Sequence, residues 1–386
     1  MSHILDSSLA SAVSAEERAW LSFIRPVTEQ LGRKIAGCDY SGRTVVFWSH
    51  VLPDCMLVVL PFLQAGAKVR IGACNPDSTD DRVAAWLVQQ GAEVLARSGT
   101  SMTEHQQNLG ELASGQADVL CDMGGELTAA FAVKNAHLIG GLEATTTGIH
   151  RLDGVDLPFP VFNWNNIALK DRLHNRYHVG DSTWPVFTEI TGMGLYGRSV
   201  LVIGFGPVGQ GVAERARAMG AIVFVVDPDP VRQLEAQHFG CQPITLEEGL
   251  SRCNVIVTAT GRAGVVGANA LRQMRDGAIL FNVGHGNREY DVDFLNKHPR
   301  VTMRPHIERY ELDGRCVYLL NRGSLLNLAS GSGAHGTDLF DPFSAVMLRG
   351  IGWLLDGGAN DYGPGLHDYP QVLEREIAEL TAASRV

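Results

Sequence analysis

The sequence predicts an α/β fold in two domains, and two observations carry that reading. Short apolar runs of strand length alternate with helical stretches along most of the chain, a rhythm that builds βαβ units around a parallel sheet. The rhythm breaks once, after Trp164, and starts again at Ser199. Each series therefore has a sheet of its own. With 386 residues, 45% of them hydrophobic, the chain can bury a sizeable core, and its length is a prior for two or three domains.

In the first series RTVVFWSH, KVRIGACN, AEVLAR, ADVLCDM and HLIGG each mark a strand, and helix-like segments such as DDRVAAWLVQQ lie between them. The polar, aromatic-rich NNIALKDRLHNRYHVGDSTWPVF reads as a helical connection between domains. The second series runs through SVLVIG, AIVFVVD, NVIVTATG and AILFNVG. From about Asp341 the pattern returns to helix, with DPFSAVMLRGIGWLLDG and PQVLEREIAELTAA. One segment stands apart. In GGLEATTTG, residues 140–148, three consecutive β-branched residues disfavour helix and the apolar alternation stops at Leu142, so it reads as a loop.

A net charge of −10 without a basic run opposes a phosphate-backbone binder, so nucleic acid is excluded as a partner. The start, MSHILDSSLASAVSAEER, lacks the basic-then-apolar order of a signal peptide. The longest apolar run, near Cys55 to Leu63, is far shorter than the roughly 20 residues of a spanning helix. The expectation is a cytoplasmic protein without membrane contact. Seven cysteines are scattered without CxxC pairs, which fits reduced, mostly buried thiols and no metal site.

The second series holds the most specific local motif. Strand-like Ser199 to Ile203 runs into GFGPVG, with Gly204, Gly206 and Gly209 in GxGxxG spacing, and then into the helix GVAERARAMG. The first glycine permits a tight turn, the second lets backbone approach a pyrophosphate, and the third lets helix pack on strand. A lone GxGxxG is also met as a plain tight turn. Here the next strand, AIVFVVD, ends in Asp227, where a carboxylate accepts the adenosine ribose hydroxyls of NAD and repels a 2′-phosphate. NAD is therefore favoured over NADP, a preference that nearby Arg232 weakens slightly. Asp229, in PDP, reads as a helix cap.

Beyond these motifs, EATTTG, GFGPVG, VTATG, NVGHGNREYDVDFL and SLLNL occur in the order of their counterparts in the S-adenosyl-L-homocysteine hydrolase family. The likeness reaches back to WSHVL, CNPDSTDD and DMGGEL, so the chain resembles that family from about residue 35 to 380. The resemblance implies a Rossmann-type NAD-binding domain, residues 179–340, inserted into an α/β substrate-binding domain made of 1–178 and the helical part 341–386. It also implies a homo-oligomer, dimer or tetramer, acting on a small-molecule nucleoside. In the family NAD oxidises the ribose 3′-hydroxyl, the ketone acidifies the 4′-hydrogen, the 5′-thiol leaves, water adds, and the hydride returns.

Site residues follow from the resemblance position by position. Thr145, Thr146 and Thr147 match threonines against the nicotinamide end of NAD, although three hydroxyls there also fit an ST-turn capping local backbone. Asn175, Thr260 and Asn327 match further cofactor contacts; amides and hydroxyls suit a carboxamide that both donates and accepts. Lys170 matches the lysine that takes the 3′-hydroxyl proton, and His50 the histidine that moves protons near the 5′ leaving group. His285 matches a histidine close to the reacting sugar, and His335 that of the purine-site loop, with a one-residue shift in spacing.

Four family positions that surround the ribose differ. The carboxylate before Gly-Gly is Met123, after Asp122, and the glutamate before the three threonines is Ala144, after Glu143. The aspartate before Asn175 is His174, and the threonine two places after the first catalytic histidine is Leu52. Each lost buried acceptor is worth ~1–3 kcal/mol. The family's Lys/Tyr-containing C-terminal tail, which completes a neighbouring subunit's NAD site, has no counterpart, so oligomerisation or NAD exchange is expected to differ. The reading is an NAD-dependent enzyme that keeps the oxidise-eliminate-add-reduce logic and acts on a substrate other than S-adenosylhomocysteine. A true S-adenosylhomocysteine hydrolase with an unusual pocket stays open, as do a nucleoside 3′-dehydrogenase and a non-catalytic NAD-binding homologue.

Overall fold

The computed structural model describes residues 7–134, 137–284, 288–329 and 337–384. The chain divides into two compact units, residues 1–170 with 337–386, and residues 171–336. Both are α/β, each with a largely parallel sheet.

In the first unit the strands are β1 (Thr44–Ser49), β2 (Lys68–Ala73), β3 (Glu93–Leu95), β4 (Val119–Asp122), β5 (Gly140–Glu143) and β6 (Pro160–Asn163). With the C-terminal strand Gly365–Asp368 they form one sheet, ordered C-terminal strand, β6, β5, β4, β1, β2, β3, and every pairing is parallel. The central β1 and β4 are buried at every residue, as continuous apolar runs between two helical layers require. The chain leaves β1 toward β2 on one side and returns to β4 on the other, which makes their carboxyl ends a topological switch point.

Helix Asp341–Leu355 is buried along almost its whole length. The Asp341 carboxylate accepts from the amides of Val27 (3.0 Å) and Thr28 (2.8 Å). The C-terminal segment thus supplies a counter-charge to the N-terminus of helix Pro26–Ala36, where the orphan amides and the helix dipole favour an anion.

The second unit continues the numbering with β7 (Ser199–Ile203), β8 (Ile222–Val226), β9 (Gln242–Pro243), β10 (Val255–Thr258), β11 (Ala278–Asn282), β12 (Arg300–Arg304), β13 (Ile307–Leu312) and β14 (Arg315–Leu320). Their order is β12, β13, β14, β11, β10, β7, β8, β9. The parallel part, β9-β8-β7-β10-β11-β14, follows the 3-2-1-4-5-6 order of a Rossmann sheet, with the crevice beyond β7 and β10. The buried Tyr290 hydroxyl lies within hydrogen-bond distance of the carbonyl oxygens of Ile256 (2.9 Å) and Phe281 (3.1 Å), on the neighbouring strands β10 and β11.

Several details differ from the sequence reading. The threonine segment is not a loop: Thr145 is the N-cap of helix Thr146–Leu152. β-Branched residues are tolerated in a first helical turn because no preceding turn crowds their χ1. The connection after Trp164 begins as a π-helix, Leu169–His178, before the α-helix Val179–Thr191. Strands β6, β12, β13, β14 and Gly365–Asp368 extend the sheets beyond the runs that stand out in the sequence. Among the described residues no helix is long and apolar enough to cross a membrane, and no group of three or more His, Cys, Asp or Glu is placed to hold a metal. All seven cysteines are free thiols, five of them buried.

Candidate functional site

In the first unit the switch point gathers the ends of β1, β4 and β5. Trp48 pairs with Asp122, and Asp122 with Glu143. The next residues are stitched in the same row: the Met123 amide donates to the Trp48 carbonyl (2.9 Å) and the Ala144 amide to the Asp122 carbonyl (3.2 Å). His50, two residues past Trp48, is half-buried, and its Nδ1 lies 2.6 Å from Ser78 Oγ and 3.6 Å from Cys74 Sγ. Burial pushes the Cys74 thiol well above its ordinary pKa, so it stays protonated.

Met123 (5% exposed) and Ala144 (0%) belong to the apolar core of this unit. Leu52, half-buried, lies in the turn that leads into helix Asp54–Gln64. Asp122 is fully buried; its Oδ2 accepts from the Thr128 amide (2.7 Å), while Oδ1 has no hydrogen-bond partner among the described residues. Burial pushes the Asp122 carboxyl up to about 6.

Glu143 does not face outward. Its carboxylate takes the amides of Gly124 (3.2 Å) and Gly125 (2.9 Å) and both the amide and the hydroxyl of Thr145 (2.7 Å each). A Cβ on Gly148 would collide with this carboxylate, and Gly125, at φ +68, would meet Gly148 backbone at 2.9 Å. Gly148 leaves the space that the Glu143 carboxylate fills. Burial and the neighbouring Asp122 carboxyl push Glu143 up to about 8 against the pull of these donors.

The three threonines divide their work. Thr145 Oγ1 donates to Glu143 and accepts from the Gly148 amide (2.9 Å), which is the local cap. Thr146 is exposed and accepts from Asn165 Nδ2 (3.1 Å), and Thr147 is half-buried. Lys170 places its ammonium 5.0 Å from the Phe343 ring centroid, and Phe343 packs on the buried Trp164 at 4.8 Å between ring centroids.

In the second unit Gly204, Asp227 and Thr260 follow β7, β8 and β10 around the Rossmann switch point. Gly204 holds φ +95, and a Cβ there would meet the Ala259 carbonyl oxygen at 2.8 Å. A Cβ on Gly209 would run into the Gly204 carbonyl, while one on Gly206 would meet nothing within 4 Å. Gly206 is the N-cap of helix Pro207–Ala218 and offers no side-chain cap. A helix N-terminus without a side-chain cap, and with open space among the described residues at Gly206, fits a dinucleotide pyrophosphate. Asp227 Oδ2 accepts from the Phe205 amide (2.7 Å) and Oδ1 from the Asp229 amide (2.9 Å), and the remaining lone pairs suit ribose hydroxyls. Asp229 caps helix Pro230–His238 through the Val231 amide (2.8 Å). Arg232 is paired with Glu235 (2.8 Å).

Thr260 repeats the Thr145 arrangement. Glu289, 1% exposed, accepts from the Thr260 amide (3.0 Å), its hydroxyl (2.7 Å) and the Gly261 amide (2.7 Å). Gly284 leaves the space that this carboxylate fills, and burial pushes the carboxyl above its ordinary value. Sequence reasoning missed both Glu289 and Ser78. Each lies inside a quoted motif, but nothing in the one-dimensional pattern says that its side chain turns inward.

His174 is buried and contacts Asn175 through Nδ1 and Oδ1 (3.2 Å), and its ring stacks on His178 at 5.3 Å. Asn327 Nδ2 reaches Ser182 Oγ at 3.5 Å, while its buried Oδ1 has no hydrogen-bond partner among the described residues. His285 and His335 lie outside the described residues.

Two family models match this chain: S-adenosyl-L-homocysteine hydrolase over residues 41–139, and S-adenosyl-L-homocysteine hydrolase, NAD binding domain, over residues 175–333. An S-inosyl-L-homocysteine hydrolase of Methanopyrus kandleri is 34% identical across 89% of this chain and 83% of the relative. The chain belongs to the S-adenosyl-L-homocysteine hydrolase family. An adenosylhomocysteinase of Pyrobaculum aerophilum is 31% identical across 98% of this chain and 93% of the relative. One from Sulfurisphaera tokodaii is 33% identical across 86% and 81%. As a family member with that NAD-binding domain, the protein is an NAD-using enzyme of the hydrolase type.

Proposed function

We propose that this S-adenosyl-L-homocysteine hydrolase family member acts on a nucleoside or thionucleoside other than S-adenosyl-L-homocysteine. Its chemistry in this reading is transient oxidation of the ribose 3′-hydroxyl, with elimination and addition at the 5′ position. The observation that carries the substrate part is the burial of Met123 and Ala144 in apolar core beside the β1–β4 switch point. Those are positions where the family resemblance expects carboxylates against the sugar. Without them the ribose hydroxyls of S-adenosylhomocysteine lose acceptors worth ~1–3 kcal/mol each.

Bound NAD supplies a hydride acceptor at the start of the cycle and a donor at its end. In this reading Lys170 accepts the 3′-hydroxyl proton, and His50 exchanges a proton at the 5′ position. Gly204, Gly206 and Gly209 take the pyrophosphate on backbone amides, and Asp227 takes the adenosine ribose. Thr145, Thr146, Thr147, Asn175, Thr260 and Asn327 hold the nicotinamide end; the buried Asn327 Oδ1, without a hydrogen-bond partner among the described residues, supports its part in this. Leu52, His174 and His335 belong with Met123 and Ala144 to the substrate contacts, and His285 to the reacting centre. Residues 1–178 and 341–386 serve as the substrate domain and 179–340 as the cofactor domain, in a cytoplasmic homo-oligomer.

A second reading, a true S-adenosylhomocysteine hydrolase, is favoured by the adenosylhomocysteinases among the relatives. The S-inosyl-L-homocysteine hydrolases, at 32–34% identity, show that relatives at similar distance carry different names for the base. Mass spectrometry of small molecules that copurify with the protein separates the readings. NAD together with a nucleoside other than adenosine or S-adenosylhomocysteine supports the first, and adenosine or S-adenosylhomocysteine supports the second.

A further inference from the structure

Resting on the reading that His50 moves the proton at the 5′ position, we propose that Ser78 is a positioning residue: it holds His50 in the Nδ1–H tautomer, so that Nε2 is the basic nitrogen. Ser78 is 2% exposed, and among the described residues its Oγ bonds His50 Nδ1 at 2.6 Å and the Asn75 carbonyl oxygen at 2.9 Å. A carbonyl oxygen only accepts, and a serine hydroxyl has one hydrogen. Both bonds form together only if Ser78 donates to Asn75 and accepts from His50. The opposite tautomer would place two lone pairs in competition for that hydrogen and leave one buried acceptor without it.

The serine is fixed before any ligand arrives. Its amide donates to the Asn75 carbonyl (3.1 Å), and its own carbonyl accepts from the amide of Val51, the residue after His50 (3.1 Å). The Asp80 amide returns to the Val51 carbonyl (2.8 Å), and the Cys74 amide binds the Ser49 carbonyl (3.1 Å). The loops after β1 and β2 are thus laced on both sides of His50. Cys74 Sγ, at 3.6 Å from Nδ1, is a weaker second acceptor for the same hydrogen. When Nε2 takes a proton, the imidazolium keeps its Nδ1–H on Ser78, and the ring returns the proton from Nε2 without turning. This is the role a fixed acceptor behind a catalytic imidazole fulfils.

The test reads the tautomer directly. Ring-nitrogen NMR on the NAD-loaded full chain with labelled histidine, His50 being assigned by the signals lost in His50→Gln, is expected to show a protonated Nδ1 and an unprotonated Nε2. In Ser78→Ala the signals move toward the other tautomer, and Ser78→Thr, which keeps the hydroxyl, restores them. With a turned-over nucleoside, Ser78→Ala lowers kcat by about 10-fold or more with KM little changed. An Nε2–H tautomer in the unsubstituted protein overturns the proposal, as does a tautomer unchanged in a folded Ser78→Ala. The NMR needs no substrate. A correct tautomer in a protein that turns over no nucleoside would fault the functional reading instead.

Discussion

One carboxylate oxygen of Glu143, Oε1, accepts both the amide and the hydroxyl hydrogen of Thr145, each at 2.7 Å. Glu289 Oε2 does the same for Thr260, at 3.0 and 2.7 Å. Each unit therefore holds one of its threonine turns on a buried carboxylate, and each clears space for it with a glycine, Gly148 or Gly284. The conformation of these turns is set from inside the protein.

Glu143→Gln is expected to destabilise the first unit by ~1–3 kcal/mol, because an amide nitrogen cannot accept from the amides that now surround the carboxylate. The midpoint of chemical unfolding measures it. An unchanged midpoint would show that the glycine and threonine donors find other partners.

Glu289→Gln loosens the Thr260 turn in the same way, and here the readout is the cofactor. The dissociation constant for NAD, from fluorescence titration, is expected to rise about tenfold, equivalent to loss of one buried hydrogen bond. Equal affinity in a folded variant would separate Glu289 from cofactor binding.

Gly206 and Gly209 are expected to part company when each becomes alanine. Gly206→Ala adds a methyl group into open space at φ −69, so stability should stay within ~0.5 kcal/mol while NAD binding weakens. Gly209→Ala drives a Cβ into the Gly204 carbonyl and should lower both the thermal midpoint and NAD binding. If Gly206→Ala binds NAD as before, the space above Gly206 is not the pyrophosphate site.

Asp122 and Glu143 make the first unit sensitive to base. Their carboxyls are pushed up to about 6 and about 8, from ordinary values of 3.8 and 4.5. Across that window the folded state binds more protons than the unfolded state, so their contribution to stability is complete near pH 4 and is lost as pH rises toward 8. The unfolding midpoint of Asp122→Asn should therefore fall less between pH 5 and pH 8 than that of the unsubstituted protein. An equal or steeper fall would contradict the assignment.

Much of this was legible in the sequence. GFGPVG after a strand and Asp227 at the end of the next marked the glycine turn and the strand end at the Rossmann switch point, because glycine spacing and strand ends are local signals. The apolar runs marked the inner strands of both sheets. The threonines misled, since three β-branched residues argue against helix unless the first is a cap, and the cap depends on Glu143 and on the space left by Gly148. Glu143, Glu289 and Ser78 were in view as letters but not as partners. Their roles come from strands and loops far apart in the chain, and no period or spacing encodes those meetings. The edge strands Arg300–Arg304 and Gly365–Asp368 lack long apolar runs because they are largely exposed.

The central claim, that this family member kept the cofactor and changed the substrate, is tested most directly by mixing the NAD-loaded protein with S-adenosylhomocysteine and, separately, with a panel of nucleosides and nucleoside thioethers. Absorbance of the reduced nicotinamide and release of adenosine and homocysteine are followed together. At least one compound other than S-adenosylhomocysteine is expected to reduce the bound cofactor, while S-adenosylhomocysteine gives no adenosine or homocysteine. Turnover of S-adenosylhomocysteine to both products, or a cofactor that no nucleoside reduces, would contradict the account.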